Sequence, residues 1–122
     1  MKKIIFFAIA CFCIAGCYYD KADVINPNAA AAVCDTTSVT YSKDIQAIIS
    51  QNCYSCHSGS ANNGGGYQYD SYDMLKTYIT SNPGVLQSDI NWTSNPMPKS
   101  ASKLSACNIN KISAWINKGL PQ

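Results

Sequence analysis

Ser42-Lys43-Asp44-Ile45-Gln46-Ala47-Ile48-Ile49-Ser50-Gln51-Asn52-Cys53-Tyr54-Ser55-Cys56-His57 joins an apolar helical stripe to a cluster of reactive side chains. Ile45, Ile48 and Ile49 recur at i, i+3 and i+4, the spacing of one buried helical face, and predict a helix from a Ser42 cap to about Cys53. That helix delivers the chain into Cys53-Tyr54-Ser55-Cys56-His57. Side chains three apart on a helical turn share a side, so Cys53 and Cys56 project together, and the next residue is the one histidine of the chain.

Downstream, Ser58-Gly59-Ser60-Ala61-Asn62-Asn63-Gly64-Gly65-Gly66 is polar and glycine-rich and reads as a surface loop outside the core. A middle helix is predicted from a Ser71 cap to Thr80, with Tyr72, Leu75, Tyr78 and Ile79 on one side, stopping before Asn82-Pro83-Gly84. The last helix has the clearest signals. Ser105 can cap it, Ile109, Ile112, Trp115 and Ile116 line one face, Lys118 sits in the last turn and Gly119 supplies the residue beyond the C-cap. No stretch carries a strand signal and there is no internal repeat, so the expected fold class is all-α with long loops.

Several chemistries can use two cysteines and a histidine at this spacing. A thioredoxin-like redox pair belongs beside a βαβ pattern, which this sequence lacks. A structural zinc would take Cys53, Cys56 and His57 with Cys34 or Cys107 as fourth ligand. A plain Cys53–Cys56 disulfide would leave His57 as a surface residue. The reading the spacing favours is covalent haem, because Cys-x-x-Cys-His is the attachment signature of haem c. Two sulfurs on one side of a turn reach the two vinyl-derived carbons along one porphyrin edge, and His57 follows as the proximal iron ligand.

With one histidine, two histidine ligands within one chain are excluded. Met74 and Met97 are the candidates for the sixth position once Met1 is set aside. Met74 falls within the middle helix, where a methionine reads as core filler. Met97 lies in Asn95-Pro96-Met97-Pro98-Lys99, whose prolines prevent regular helix and stiffen a loop able to hold a thioether over the second haem face. Met97 is therefore the expected axial ligand, with an open or water-ligated iron as the alternative.

From Ser42 to Leu120 the chain resembles a small class I mono-haem c-type cytochrome. It has a helix running into Cys-x-x-Cys-His, a loop-rich middle, a Met-Pro loop and an amphipathic last helix with an aromatic. The resemblance implies a cytochrome c-like helical domain around one covalent haem. The terminal helices would cross, setting Ile45, Ile48 and Ile49 against Ile109, Ile112 and Ile116, with Trp115 at the edge of that face. His57/Met97 ligation closes both axial positions and raises the reduction potential. The expected role is thus a one-electron carrier for redox partner proteins at the same membrane, not an enzyme. Without arginine, propionate partners would be Lys99 or Lys103, with Trp92, Tyr67 or Tyr69 as neutral donors. Two alternatives belong to other classes: a haem enzyme or gas sensor with an open sixth site, and a non-haem binding module held by zinc or disulfides.

The first residues, Met1-Lys2-Lys3 followed by the twelve apolar residues Ile4 to Ala15, have the form of an export signal. The run is shorter than the about 20 residues of a spanning helix. It ends at Ile14-Ala15-Gly16-Cys17, which resembles a bacterial lipobox. Residues 1–16 are expected to be removed and Cys17 lipidated. Residues 17–33 would form a tether with an extended reach of about 55 Å, and residues 34–122 the cytochrome domain. The expected location is the periplasmic or extracytoplasmic face of a bacterial membrane, held by the lipid.

Seven cysteines then divide cleanly. Cys11 and Cys13 leave with the leader, Cys17 takes lipid, Cys53 and Cys56 take haem, and Cys34 and Cys107 remain. Cys107 points away from the Ile109/Ile112/Ile116 face, and a free thiol in the first turn of a helix would be reactive outside the cell. A Cys34–Cys107 disulfide is therefore expected. Charge narrows the classes further. Nine lysines and seven aspartates make a formal +2 with no arginine or glutamate. Lys2 and Lys3 account for all of that excess, which argues against a nucleic-acid binder.

Overall fold

A computed structural model describes residues 34–122, and every regular element among them is helical. A π-helical turn, Tyr41–Ile45, runs directly into α1, Gln46–Asn52. The cap is Thr40 rather than Ser42: its hydroxyl accepts the Lys43 N–H at 3.3 Å. Ser42 instead donates its hydroxyl to the Gln122 carbonyl at 2.9 Å. The widened turn lets both Tyr41 and Ile45 face inward, and Ile48 and Ile49 continue the buried stripe.

The helix breaks at Cys53, which leaves the αR region (φ −121°, ψ −29°), and resumes as α2, Tyr54–His57. After a 3-10 turn, Asn62–Gly64, come α3, Tyr72–Ser81, α4, Val85–Ile90, and α5, Ala106–Asn117. Ser71 caps α3 and Ser105 caps α5, each accepting the N–H three residues on. Gly119 adopts φ +82° just past α5, the left-handed conformation that suits glycine.

Ile45, Ile48, Ile49, Leu75, Ile79, Leu86, Ile90, Ile109, Ile112 and Trp115 belong to one buried cluster. The turn Tyr41–Ile45, rather than the middle of α1, makes the main contact with α5, and α4 packs on α5 as well. Trp115 does not sit at an edge. It is fully buried beside Tyr41, ring centroids 6.1 Å apart, and donates its indole N–H to Pro121 at 2.8 Å. Met74 is not core filler either. Leu75 and Ile79 form the inner stripe of α3, and Met74, one residue off that stripe, is 44% exposed.

The start of this region is tied to α5 and its end to the π-helical turn. Cys34 and Cys107 form a disulfide with their Cα atoms 5.4 Å apart. Lys118 donates to the carbonyls of Thr36 and Thr37, and Lys111 pairs with Asp44 at 2.6 Å. At the other end, Pro121 and Gln122 accept the backbone N–H groups of Tyr41 and Ser42. The disulfide removes Cys34 and Cys107 from the list of possible zinc ligands.

Candidate functional site

The break at Cys53 positions His57. The Cys53 carbonyl accepts the N–H groups of both Cys56 and His57, closing a tight turn that carries both cysteines and the histidine. His57 is buried, and four features fix its ring. Nδ1 lies 3.0 Å from the Tyr67 carbonyl. Tyr69 stacks on it, centroids 4.3 Å apart and planes 6° from parallel. The Tyr69 N–H donates to the His57 carbonyl at 2.8 Å. Gly64 presses on the ring edge, where a Cβ would stand 2.6 Å from Nδ1.

The hydrogen bond assigns the tautomer. A carbonyl can only accept, so in the neutral ring Nδ1 carries the proton and Nε2 keeps its lone pair, the form in which histidine binds a metal.

Residues 58–66 are a mostly exposed loop, as expected, with two buried exceptions. Ala61 and Gly64 are buried, and Gly64 stands against the His57 ring. Glycine is abundant in surface loops, but at Gly64 it serves close approach of backbone to a ring. Tyr69, expected as a neutral propionate donor, is buried against His57 and packs on Tyr78 at 5.1 Å. Burial pushes the hydroxyls of Tyr69 and Tyr78 above the ordinary tyrosine range.

Cys53 and Cys56 are free thiols. Burial, with the neighbouring Cys56 thiol as a smaller cause, pushes Cys53 up to about 11. That is opposite to what a thioredoxin-like pair requires, since such chemistry depends on a lowered thiol pKa. Among the described residues, no cluster of three or more His, Cys, Asp or Glu side chains is arranged to hold a metal ion by itself.

A cavity of about 740 Å³ is lined by Cys53, Cys56 and His57 together with Met97. Its volume falls within the about 300–1,000 Å³ typical of small-molecule and cofactor sites. Tyr69, Tyr78, Leu86, Ile90 and Leu104 give it apolar walls, and Lys99 and Lys103 also line it. Met74 lines a separate shallow groove with Tyr67 and Thr77. Trp92, expected as a donor to the haem, is elsewhere engaged: its indole N–H donates to the Met97 carbonyl at 2.9 Å. The donor set therefore fits a covalently held haem, with two thiols and an imidazole on one turn and a thioether on the same cavity.

Comparison of the chain with protein-family models, curated proteins and solved structures finds no match. Among the described residues no helix is long and apolar enough to cross a membrane. The leader, the lipidation site Cys17 and the tether at 17–33 lie outside the described residues.

Proposed function

We propose that this protein is a membrane-tethered one-electron carrier of the c-type cytochrome class. In this reading Cys53 and Cys56 hold one haem covalently, and His57 and Met97 are its axial ligands. The observation that carries the reading is the state of His57. Its Nδ1 is committed to the Tyr67 carbonyl at 3.0 Å, and its ring borders a cavity shared with two free thiols and Met97.

When bound, the haem supplies an iron that cycles between two oxidation states. The chain's own residues do the rest. The Tyr67 carbonyl and the Tyr69 ring hold the imidazole in one orientation and raise its basicity through the Nδ1–H bond. Tyr69, Tyr78, Leu86, Ile90 and Leu104 keep water from the cavity walls, and a low-dielectric, hydrogen-bonded surround is what tunes such a centre. Met97 would be the second residue to hold the iron, and the haem would then supply electron transfer with no open place for a substrate. The Cys34–Cys107 disulfide suits an oxidising compartment, in keeping with an exported domain anchored through Cys17.

The test is the intact mass of protein matured in a host that exports it and attaches haem. The expected result is one haem retained after denaturation, lost in the Cys53→Ser/Cys56→Ser variant. A matured protein with no covalent haem overturns the proposal.

A further inference from the structure

Apart from His57, the one polar or charged residue counted as buried among those described is Asp89, at 7% exposure. A buried carboxylate is costly unless hydrogen-bonded. Here Oδ1 accepts the backbone N–H of Asn95 at 3.2 Å, while the Asp89 carbonyl accepts the N–H groups of Trp92 and Met97, both at 3.1 Å. Trp92 adopts φ +64°, a left-handed conformation unfavourable for a bulky residue. It is 43% exposed, so burial does not account for a tryptophan there. What the conformation achieves is the indole bond to the Met97 carbonyl at 2.9 Å. Met97 is thus gripped at both its N–H and its C=O, and Asn95, two residues before it, is pinned to the cavity wall.

We propose that Asp89 and Trp92 are positioning residues that clamp the 92–97 loop and hold the Met97 thioether on the iron. The proposal rests on the reading of Met97 as axial ligand and adds what keeps it there. α4 gives the clamp its rigidity. Leu86 and Ile90 bury one side of that helix in the core, so Asp89 is a fixed point from which a proline-flanked loop is suspended. Loss of one hydrogen bond of ordinary net strength would shift the closed–open balance of the loop about fivefold toward open.

The experiment compares mature haem-loaded protein with Trp92→Phe, Asp89→Ala and Asp89→Asn. It reads the far-red sulfur-to-iron band of the oxidised form and carbon monoxide binding by the reduced form. Trp92→Phe keeps the ring and removes the donor. Asp89→Ala removes the acceptor for Asn95, and Asp89→Asn keeps an acceptor oxygen. The expected result is a weaker band and about fivefold more carbon monoxide binding at limiting gas in Trp92→Phe and Asp89→Ala, with the band restored in Asp89→Asn. Trp92 is exposed, so its variant remains informative should Asp89→Ala fail to fold. Equal band and equal carbon monoxide response in Trp92→Phe and the unsubstituted protein overturn the clamp. Absence of the band from the unsubstituted protein itself overturns the Met97 reading beneath it, a distinct result read before either variant.

Discussion

Gly64→Ala is the smallest change that should disturb the histidine. An added Cβ would stand 2.5 Å from the Cys56 carbonyl oxygen and 2.6 Å from His57 Nδ1, both well inside ordinary contact. Displacing the ring relieves only the second of these contacts, so the turn at Cys56 and the ring must both shift. Moving the ring breaks the Nδ1–H bond to the Tyr67 carbonyl and the stack on Tyr69. A buried donor left unpaired costs about 1–3 kcal/mol, and overpacking adds about 1–3 kcal/mol. A total near 3 kcal/mol would lower the midpoint of thermal unfolding by about 10–20 °C for a domain of this size. Gly59→Ala is the matched control. It sits at φ +59° with nothing within 4 Å of its virtual Cβ, so only backbone strain of about 1 kcal/mol is expected. Thermal unfolding followed by circular dichroism, with the haem spectrum recorded alongside, reads both. Gly64→Ala should lose stability and alter the spectrum, whereas Gly59→Ala should lose a little stability and leave the spectrum unchanged. A Gly64→Ala protein as stable as Gly59→Ala, with an unaltered spectrum, would refute the packing argument.

Other expectations follow from the same contacts. The disulfide closes a loop spanning 73 positions, so Cys34→Ser/Cys107→Ser should cost about 4 kcal/mol in denaturant titration; a cost below about 1 kcal/mol contradicts its role as a strap. The Tyr41 hydroxyl is buried without a partner, and burial pushes it up to about 12. Tyr41→Phe should therefore be neutral or stabilising by about 1 kcal/mol. Because the folded value is raised, titration of this hydroxyl leaves stability unchanged below about pH 10 and lowers it between about pH 10 and 12, an alkaline loss that Tyr41→Phe should reduce. Asp44 is held below the usual carboxylate range chiefly by the Lys111 hydrogen bond. Its contribution is present above about pH 4 and lost as pH falls through the lowered folded value. Asp44→Asn should be about 1 kcal/mol less stable than wild type at neutral pH, with the gap closing in acid; a gap that persists at low pH would assign the effect to packing instead.

Helices with both a cap and a sustained apolar period were legible in the sequence, and α3 and α5 begin where Ser71 and Ser105 indicate. The start of α1 was displaced because Thr40 caps a π-helical turn, a geometry with no 3.6-residue signature. α4 has six residues, with Leu86 and Ile90 as its buried apolar positions, too short for a period to emerge. The Cys34–Cys107 pairing followed from counting thiols. Around His57, the turn was readable because its residues are contiguous. The partners were not, because Gly64, Tyr67 and Tyr69 act through backbone approach, a carbonyl and a ring stack, none of which depends on a motif. The alternation Tyr67-Gln68-Tyr69 was the one available hint that two aromatics flank the same face. Trp92 was misassigned for a related reason: its role depends on a left-handed backbone that the sequence does not announce.

The visible spectrum of the matured protein tests the account most directly, recorded oxidised, reduced, and reduced under carbon monoxide. Ligation by His57 and Met97 predicts a low-spin c-type spectrum, a far-red sulfur-to-iron band when oxidised, and no response to carbon monoxide. A haem spectrum that shifts under carbon monoxide would contradict the closed site and turn the protein toward catalysis or gas sensing, and the absence of any haem spectrum would contradict the assignment as a whole.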